Sequence, residues 1–220
     1  MFLFILPYSK TQYRMKVKDC HTVDYSLQEL EPLSRALEKH FCQNNSLAPL
    51  YRRFGGFFWE NLELWVAPPK VMDYIRENSY VLSPVYGLVK PDACLPYAPV
   101  GWNEVYQGNT LFEFWKVHLR DIWHKLLSGR TVVPFMPERY YPLLDLSEAQ
   151  RVVKFVYYRK DQKVKNPLRH YAYTLRYIAE KGLSLEDLHK INFYDYRVEK
   201  LEERGRNLIL TMRSEGRYEL

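Results

Sequence analysis

Phe2-Leu3-Phe4-Ile5-Leu6-Pro7 is an apolar run closed by a proline, and it decides the fold class that the rest of the sequence must fit. A short continuous apolar run is typical of a strand buried on both faces in the middle of a sheet. Lys10 follows almost at once, and no positively charged start or small-residue cleavage site accompanies the run, so no secretory leader is predicted. No later apolar run approaches the roughly 18 residues needed to cross a bilayer, and no membrane partner is expected.

The size and composition of the chain favour one folded domain. Its 220 residues, of which 47% are hydrophobic and 16% aromatic, are enough to bury a real interior. This composition differs from the aromatic-poor, charge-rich composition that keeps chains disordered. We therefore predict a single domain over residues 1–220.

Helix and strand patterns alternate along the chain. Ser26-Leu27-Gln28-Glu29 has the pattern of a capping box and predicts a helix to about Phe41, and Asn109 or Thr110 is a cap for a long helix through Leu127. Strands are predicted at 131–135 and 152–158, and a final hairpin turns at 204–207. The expected fold is α+β, with a mixed β-sheet flanked by helices.

The net charge of +6 is concentrated in one segment. Residues 151–190 hold ten basic and four acidic residues, which accounts for the whole excess. Five tyrosines are interleaved with these charges: Tyr157, Tyr158, Tyr171, Tyr173 and Tyr177. Clustered Lys and Arg neutralise phosphates, and exposed aromatic rings offer faces to bases. The segment predicts a nucleic-acid face, against the alternative of a solvated helix and strand whose tyrosines point into the core.

The same segment contains a helix, a glycine-containing turn and a second capping pattern. Asn166 and Pro167 predict the start of a helix that runs to Lys181, and Gly182 is a natural left-handed stop. Ser184-Leu185-Glu186-Asp187 then predicts a second helix, so the stretch 166–190 resembles a helix-hairpin-helix element. Such a hairpin aims backbone N–H groups at phosphate without reading sequence, although a tight pair of packed helices has the same pattern.

The cysteine spacing predicts no disulfide. Cys20, Cys42 and Cys94 form an odd set without C-x-x-C spacing, which indicates neither a disulfide framework nor a zinc knuckle. We expect three small buried thiols in a reducing cytoplasm.

No catalytic, metal or cofactor motif is recognised. The six histidines show no H-x-x-x-H or H-E-x-x-H spacing, and the sequence contains no P-loop, no dinucleotide fingerprint and no G-x-S-x-G elbow. We therefore predict no metal site, no cofactor and no catalytic residues.

Four landmarks carry a family resemblance. Leu82-Ser83-Pro84-Val85-Tyr86-Gly87-Leu88-Val89-Lys90-Pro91, followed by Leu95-Pro96-Tyr97, is closely similar to the YaaA peroxide-stress protein family. The opening strand into Pro7-Tyr8-Ser9-Lys10-Thr11 resembles that family's S-P-A-K-T segment, with one residue of slippage. Leu111-Phe112-Glu113-Phe114-Trp115 resembles its L-Y-x-F-W helix start, and Arg176-Tyr177-Ile178-Ala179-Glu180 resembles its R-F-I-I-E helix.

The chain also departs from the family pattern. Ala98-Pro99-Val100 stands where the family has R-x-E-M, and the segments at 134–140 and 54–59 replace N-L-A-S-x-E-Y and F-K-G-D-V-Y. The resemblance therefore identifies a divergent and shorter member.

The resemblance implies a function as well as a fold. It implies a single α+β domain in the cytoplasm that binds double-stranded DNA through a helix-hairpin-helix element. It also implies a role in limiting iron-driven oxidative damage under hydrogen peroxide.

The loop after residue 82 supports a second interpretation, an enzyme. The S-x-x-Y-G-L-x-x-P pattern resembles small domains associated with nucleobase and transfer-RNA modification enzymes, and on that view the loop Ser83–Tyr97 lines a base pocket with the end of the first strand. The alternative is that Tyr86-Gly87 forms a tight structural turn. The pocket residues on the enzyme view are Ser9, Lys10, Ser83, Tyr86, Gly87, Lys90, Asp92 and Tyr97.

The first hypothesis is a nucleic-acid-binding stress protein, and an adaptor for an acidic protein is a third possibility. The expected partners are double-stranded or branched DNA, with RNA as a further one. The residues expected at the interface are Arg159, Lys160, Lys163, Lys165, Arg169, Arg176, Gly182 and Ser184.

Overall fold

The apolar run that opens the chain forms β1, Phe2–Leu6, and all five of its residues are buried. It lies in a computed structural model that describes residues 1–42 and 46–218. β1 pairs in parallel with a strand on each side, so the prediction of a central buried strand is confirmed.

The remaining elements follow in chain order. The helices are α1 Glu31–Phe41, α2 Leu50–Arg53, α3 Phe57–Leu62, α4 Pro69–Asn78, α5 Leu111–His118, α6 Arg120–Leu127 and α7 Leu168–Lys181. The strands after β1 are β2 Ala48–Pro49, β3 Ser79–Ser83, β4 Gly87–Val89, β5 Cys94–Leu95, β6 Val105–Tyr106, β7 Asn109–Thr110, β8 Thr131–Pro134, β9 Arg151–Arg159, β10 Gln162–Lys163, β11 Asn192–Phe193, β12 Tyr196–Arg204 and β13 Asn207–Ser214. Short 3₁₀ helices occur at Gln28–Leu30, Leu64–Val66, Glu138–Leu143, Leu146–Glu148 and Glu186–Lys190.

One large mixed sheet organises the domain. Its strands lie in the order β11-β12-β13-β9-β8-β1-β3-β4, and β10 pairs with β9 beside this path. The five strands from β13 to β3 are parallel to their neighbours, whereas β4, β10, β11 and β12 pair antiparallel. The predicted fold, one domain with a mixed sheet flanked by helices, is confirmed.

The long predicted helix after Thr110 is two helices. Thr110 forms a complete capping box with Glu113, as the sequence predicts, but α5 ends at His118 and α6 begins at Arg120. Trp115 and Trp123 on the apolar stripe are buried, and their indole N–H groups donate to the carbonyls of Pro84 and Leu143. The stripe is therefore core, as expected.

The capping box predicted at Ser26 is absent. Ser26 has a positive φ of 59°, and its hydroxyl accepts a hydrogen bond from the N–H of Lys90 at 2.9 Å instead of capping a helix. A 3₁₀ turn leads into α1, whose first residue has no side-chain cap. The predicted helix end at Phe41 is confirmed.

The segment from residue 11 to residue 25, here called the strap, is held by a buried arginine. Arg53 is fully buried, and its guanidinium donates to the carbonyls of Tyr13, Met15 and Ser46 at 2.7–3.2 Å. Burial lowers the pKa of Arg53. Three carbonyl partners offset part of the cost of burying this cation, so the strap is fixed by side-chain contacts where it lacks regular structure.

A disulfide between Cys20 and Cys94 also fixes the strap, and the prediction of three unpaired thiols is therefore wrong. The strap brings Cys20 beside β5, with 5.7 Å between the two Cα atoms, a proximity that spacing along the chain does not reveal. Cys42 is free and half-buried, and burial raises the pKa of its thiol to about 11.

Within residues 1–42 and 46–218, no helix combines the length and the apolar character needed to cross a bilayer.

Candidate nucleic-acid interface

A cleft of about 1050 Å³ opens where β8 ends, between the β9–β10 hairpin and the first turn of α7. The carboxyl end of a parallel strand is where ligands bind in open α/β sheets. Three basic and one acidic side chain line this cleft, Arg139, Lys163, Lys165 and Glu138. Its apolar surface comes from residues of all three elements: Pro137, Phe155, Tyr157, Leu168 and Tyr171. The cleft combines an apolar floor with a basic rim.

The β9–β10 hairpin is held rigidly beside this cleft. Lys160 turns the chain with a φ of 53°, and its N–H donates to the carbonyl of Ser214 at 2.7 Å. Arg213 on β13 donates to the carbonyl of Lys160 and lies 3.3 Å from the carboxylate of Asp161. The hairpin's only acidic residue is therefore paired with an arginine, which leaves the lysines to set the local charge.

The predicted interface residues fall into two groups with different surroundings. Arg159, Lys160, Lys163 and Lys165 are exposed on the hairpin and the segment after it. Lys163 and Lys165 line the cleft, and neither makes an ion pair within the described ranges of the chain. These two ammonium groups are available to an anion.

Arg169 and Arg176 lie on the face of α7 that packs against α3. The Arg169 guanidinium lies 5.3 Å from the Phe57 ring centroid. Arg176 pairs with Glu63 at 2.7 Å and Glu180 at 2.8 Å. The structure therefore surrounds Arg176 with carboxylates, and its charge is partly neutralised inside the protein.

Gly182 and Ser184 lie at the opposite end of α7 from the cleft. α7 has 14 residues, so its ends are separated by about 20 Å. Gly182 stops the helix in the left-handed conformation with φ 60°, as predicted. The Ser184 hydroxyl donates to the carboxylate of Asp187 at 2.7 Å.

The predicted helix-hairpin-helix element is not confirmed. The second element is a five-residue 3₁₀ helix, Glu186–Lys190, and not an α-helix. Its first turn carries Glu186 and Asp187, whose negative charges would repel a phosphate at the helix start. Local turn chemistry identifies the stop at Gly182 but not the length of the helix that follows.

The loop of the enzyme interpretation is closely packed. Ser83, Tyr86 and Gly87 are buried, and the Ser83 hydroxyl accepts from the N–H groups of Val85 and Tyr86 at 3.4 and 3.3 Å. Burial raises the pKa of Tyr86 well above its ordinary value. The cleft described above contains no residue of this loop.

Lys90, the basic residue of that loop, makes its contacts within the protein itself. Its ammonium lies 3.9 Å from the Tyr80 ring centroid and donates to the carbonyls of Glu77 and Ser79 at 3.2 Å. Burial lowers the pKa of Lys90 to about 8 and raises the pKa of Asp92. Lys90 thus covers the C-terminal end of α4, where carbonyls lack helical partners.

The other predicted pocket residues lie between β1 and the loop that follows Tyr97. The Lys10 ammonium is exposed and lies 3.8 Å from Glu104, and Ser9 bonds to the carbonyl of Thr11 at 3.0 Å. The Arg14 guanidinium lies 5.2 Å from the Tyr97 ring centroid. The side chains of Ser9 and Lys10 thus contact Thr11 and Glu104, whereas Tyr97 and Tyr86 both act on the buried Arg53.

The sequence reasoning missed Glu138, Arg139 and the special position of Tyr171. Tyr171 is only 7% exposed, yet it lines the cleft, and its hydroxyl has no hydrogen-bond partner among the described residues. Burial, with a smaller contribution from the charge of Glu138, raises the pKa of Tyr171 to about 12. In the sequence, the position of Tyr171 on the apolar stripe of α7 was the feature that could have identified it. Glu138 comes near Tyr171 only because β8 pairs with β9 in the sheet.

The described residues contain no group of three or more His, Cys, Asp or Glu arranged to hold a metal ion.

The chain is similar to curated proteins from several bacteria. The UPF0246 protein Bpet1601 of Bordetella petrii is 29% identical over 129 residues, which cover 56% of this chain and 50% of that protein. A UPF0246 protein of Psychrobacter sp. (strain PRwf-1) is 31% identical over 88 residues, which cover 39% and 32% of the two chains. The chain thus spans half or less of the length of these curated relatives. The family model described as peroxide stress protein YaaA matches residues 8–202, so the chain belongs to the YaaA peroxide stress protein family.

Proposed function

We propose that this protein binds nucleic acid through the basic rim of the cleft, without reading base sequence. One observation carries the proposal: Lys163 and Lys165 line the cleft without ion-pair partners in the described ranges, inside the segment that holds the whole net positive charge. Cations of this kind bind phosphates by releasing condensed counterions, which gives affinity without sequence preference. Duplex or branched DNA is the expected partner, and RNA is a second one.

The interface centres on the β9–β10 hairpin. Arg159 and Lys160 extend the basic rim along the hairpin, which Arg213 anchors to the sheet. Because the hairpin is fixed to β13, phosphate contacts there require little ordering of the chain on binding. The ion pairs of Arg176 with Glu63 and Glu180 make this arginine a weak contributor.

The experiment is a fluorescence anisotropy titration of a duplex, a four-way junction and a single strand over a series of salt concentrations. Lys163→Glu/Lys165→Glu should weaken binding at least tenfold and flatten the salt dependence, because each lost phosphate contact removes about 0.9 from the slope of log K against log salt. Lys16→Glu/Lys18→Glu, on the strap, changes the net charge equally and is the matched control.

Two results would reject the proposal. One is an equal loss of affinity in the control pair, which would mean that net charge alone matters. The other is binding that does not depend on salt.

We further infer that peroxide protection depends on this binding, in the cytoplasm where the nucleic acid lies. Neutralising phosphates displaces the cations condensed on them, iron included, and so removes the metal from the place where peroxide would damage the strand. Membership of a peroxide stress family supports this link. Cells that depend on the Lys163→Glu/Lys165→Glu variant should survive hydrogen peroxide less well than cells carrying the control pair, and equal survival would separate the two roles.

A further inference from the structure

The cleft contains more than a basic rim needs. A patch that only neutralises a phosphate backbone can be flat, whereas this cleft has a volume of about 1050 Å³ and an apolar floor. Small-molecule sites have volumes of about 300–1,000 Å³ and combine an apolar lining with a few polar groups. The cleft therefore has the size of a site for one compact ligand with some space beside it, and its exposed lining is about equally polar and apolar.

The floor of the cleft holds an unpartnered polar group. Tyr171 is only 7% exposed, and it lines the cleft. Its hydroxyl has no hydrogen-bond partner in the described part of the chain. The Tyr171 hydroxyl is not one of the buried side-chain atoms that lack a hydrogen-bond partner, so solvent in the cleft reaches it. A ligand in the cleft can therefore form a hydrogen bond to this hydroxyl in place of solvent.

The rim of the cleft selects an anion. Lys163 and Lys165 supply ammonium groups that have no ion-pair partner among the described residues, and Arg139 adds a third cation against the carboxylate of Glu138. The first turn of α7 opens on the same cleft through Pro167 and Leu168 and carries no acidic residue. The positive end of a 14-residue helix adds to the attraction that the lysines exert on a phosphate.

Glu138 provides a negatively charged hydrogen-bond acceptor beside these cations. Its carboxylate makes no ion pair in the described part of the chain, and its charge reaches Tyr171, whose pKa it helps to raise. A carboxylate accepts hydrogen bonds from the exocyclic amino groups of bases. A planar ring with amino or imino donors, joined to a phosphate, carries groups that match both the lysines and Glu138.

We propose that the cleft is a mononucleotide pocket, which receives a nucleoside 5′-phosphate either free or as the unpaired end of a bound strand. The phosphate contacts Lys163 and Lys165, and the base lies on the apolar floor within reach of Glu138 and the Tyr171 hydroxyl. This inference rests on the proposed function for the source of the nucleotide, but its test does not.

The test is calorimetric titration of the full chain with adenosine and guanosine 5′-monophosphates, beside the nucleosides and ribose 5-phosphate as half-ligands. We expect saturable binding of a monophosphate that is at least tenfold tighter than that of either half. Lys163→Gln/Lys165→Gln should reduce the binding constant at least tenfold and Tyr171→Phe several-fold, whereas Lys16→Gln/Lys18→Gln should change neither. Ribose 5-phosphate binding as tightly as the monophosphates would overturn the proposal, because no base site would then exist.

Chemical protection of lysines locates the site in the wild-type protein, so it does not depend on whether a variant folds. Adenosine or guanosine monophosphate should protect Lys163 and Lys165 from acetylation, measured by mass spectrometry, while Lys16 and Lys18 on the same molecules stay reactive. Uniform protection or none would overturn the pocket. Monophosphate binding without polymer binding would leave the pocket standing and reject the proposed function, and polymer binding without monophosphate binding would do the reverse.

Discussion

His170 is a buried titratable side chain on the first turn of α7. It is 4% exposed, and its ring centroid lies 4.9 Å from that of Tyr157 and 4.8 Å from that of Tyr196. Neither ring nitrogen has a hydrogen-bond partner in the described ranges. Burial, and then the neighbouring charge of Arg169, lowers the pKa of His170 to about 4. A neutral imidazole packed between rings behaves as an aromatic core residue until it is protonated.

This burial predicts a loss of stability in mild acid. The unfolded pKa is about 6.5, so above that pH both states are neutral, and the free energy of unfolding falls as the pH drops from about 6.5 to about 4. The contribution of His170 to this loss is about 3 kcal/mol at most. Urea unfolding at pH 7.5 and 4.5 should show a smaller difference for His170→Phe than for wild type.

The control for this measurement is His21→Phe, because His21 is an exposed histidine on the strap. Its pH dependence should match that of wild type. If His170→Phe behaves like the control, the imidazole does not carry the acid sensitivity.

At the scale of the elements, apolar patterns were the most informative part of the sequence. β1, β8, β9 and the β12–β13 turn lie where their residue types predict them, since burial on a sheet leaves a period that can be read locally. The break between α5 and α6 at Leu119 leaves no such pattern in the sequence. α5 and α6 each direct a tryptophan to the carbonyl of a different loop, Pro84 or Leu143, and those loops are positioned only by the tertiary fold.

Two similar capping patterns had different outcomes. Thr110 caps α5, and its hydroxyl accepts a hydrogen bond from the N–H of Glu113 at 3.2 Å. Ser26 is drawn to the N–H of Lys90, which is 64 residues away in sequence. A local motif predicts a cap only when no distant backbone group competes for the same hydroxyl.

The β3–β4 turn is closely packed around Gly87. Gly87 has a φ of 65°, and a Cβ atom there would lie 2.8–2.9 Å from the Trp115 ring and 3.1 Å from Leu30. Gly87→Ala should therefore lower the free energy of unfolding by about 2–5 kcal/mol, from backbone strain and overpacking together. Urea denaturation measures this change.

Gly108→Ala separates the two causes. Gly108 has a φ of 84° but no atom within 4 Å of the added Cβ, so only the strain of about 1–2 kcal/mol should appear. Equal losses at the two glycines would show that Trp115 yields and that the turn is not tightly packed.

At the scale of the whole molecule, charge could be located from the sequence but the cleft could not. The excess in residues 151–190 pointed to the hairpin lysines, because charge is a property of composition. Glu138, Arg139 and Tyr171 meet there only because β8 and β9 are neighbours in the sheet. The capping pattern at Ser184 likewise did not reveal that the segment after it is a five-residue 3₁₀ helix, whose N-cap residue is Leu185.

The Cys20–Cys94 disulfide predicts a redox-dependent stability. It closes a loop of 74 residues, which by loop-closure entropy stabilises the folded state by about 4 kcal/mol. Reductant should lower the urea midpoint of wild type and of Cys42→Ser, but not that of Cys20→Ser/Cys94→Ser. Thiol titration of the unfolded, unreduced chain should find one free cysteine, Cys42, and finding three would contradict the disulfide.

The place of β13 in the sheet has a consequence during synthesis on the ribosome. β13 lies between β12 and β9, so one edge of β9 stays open at least until β13 begins to emerge at residue 207, 48 residues after β9 ends at residue 159. At about 5–20 residues per second that wait is roughly 2–10 s. β9 is rich in Val, Phe and Tyr, and an unpaired strand of this kind is a template for association with other chains. The nascent protein is thus most exposed to misassembly in the interval between β9 and β13, when chaperones would have most to protect.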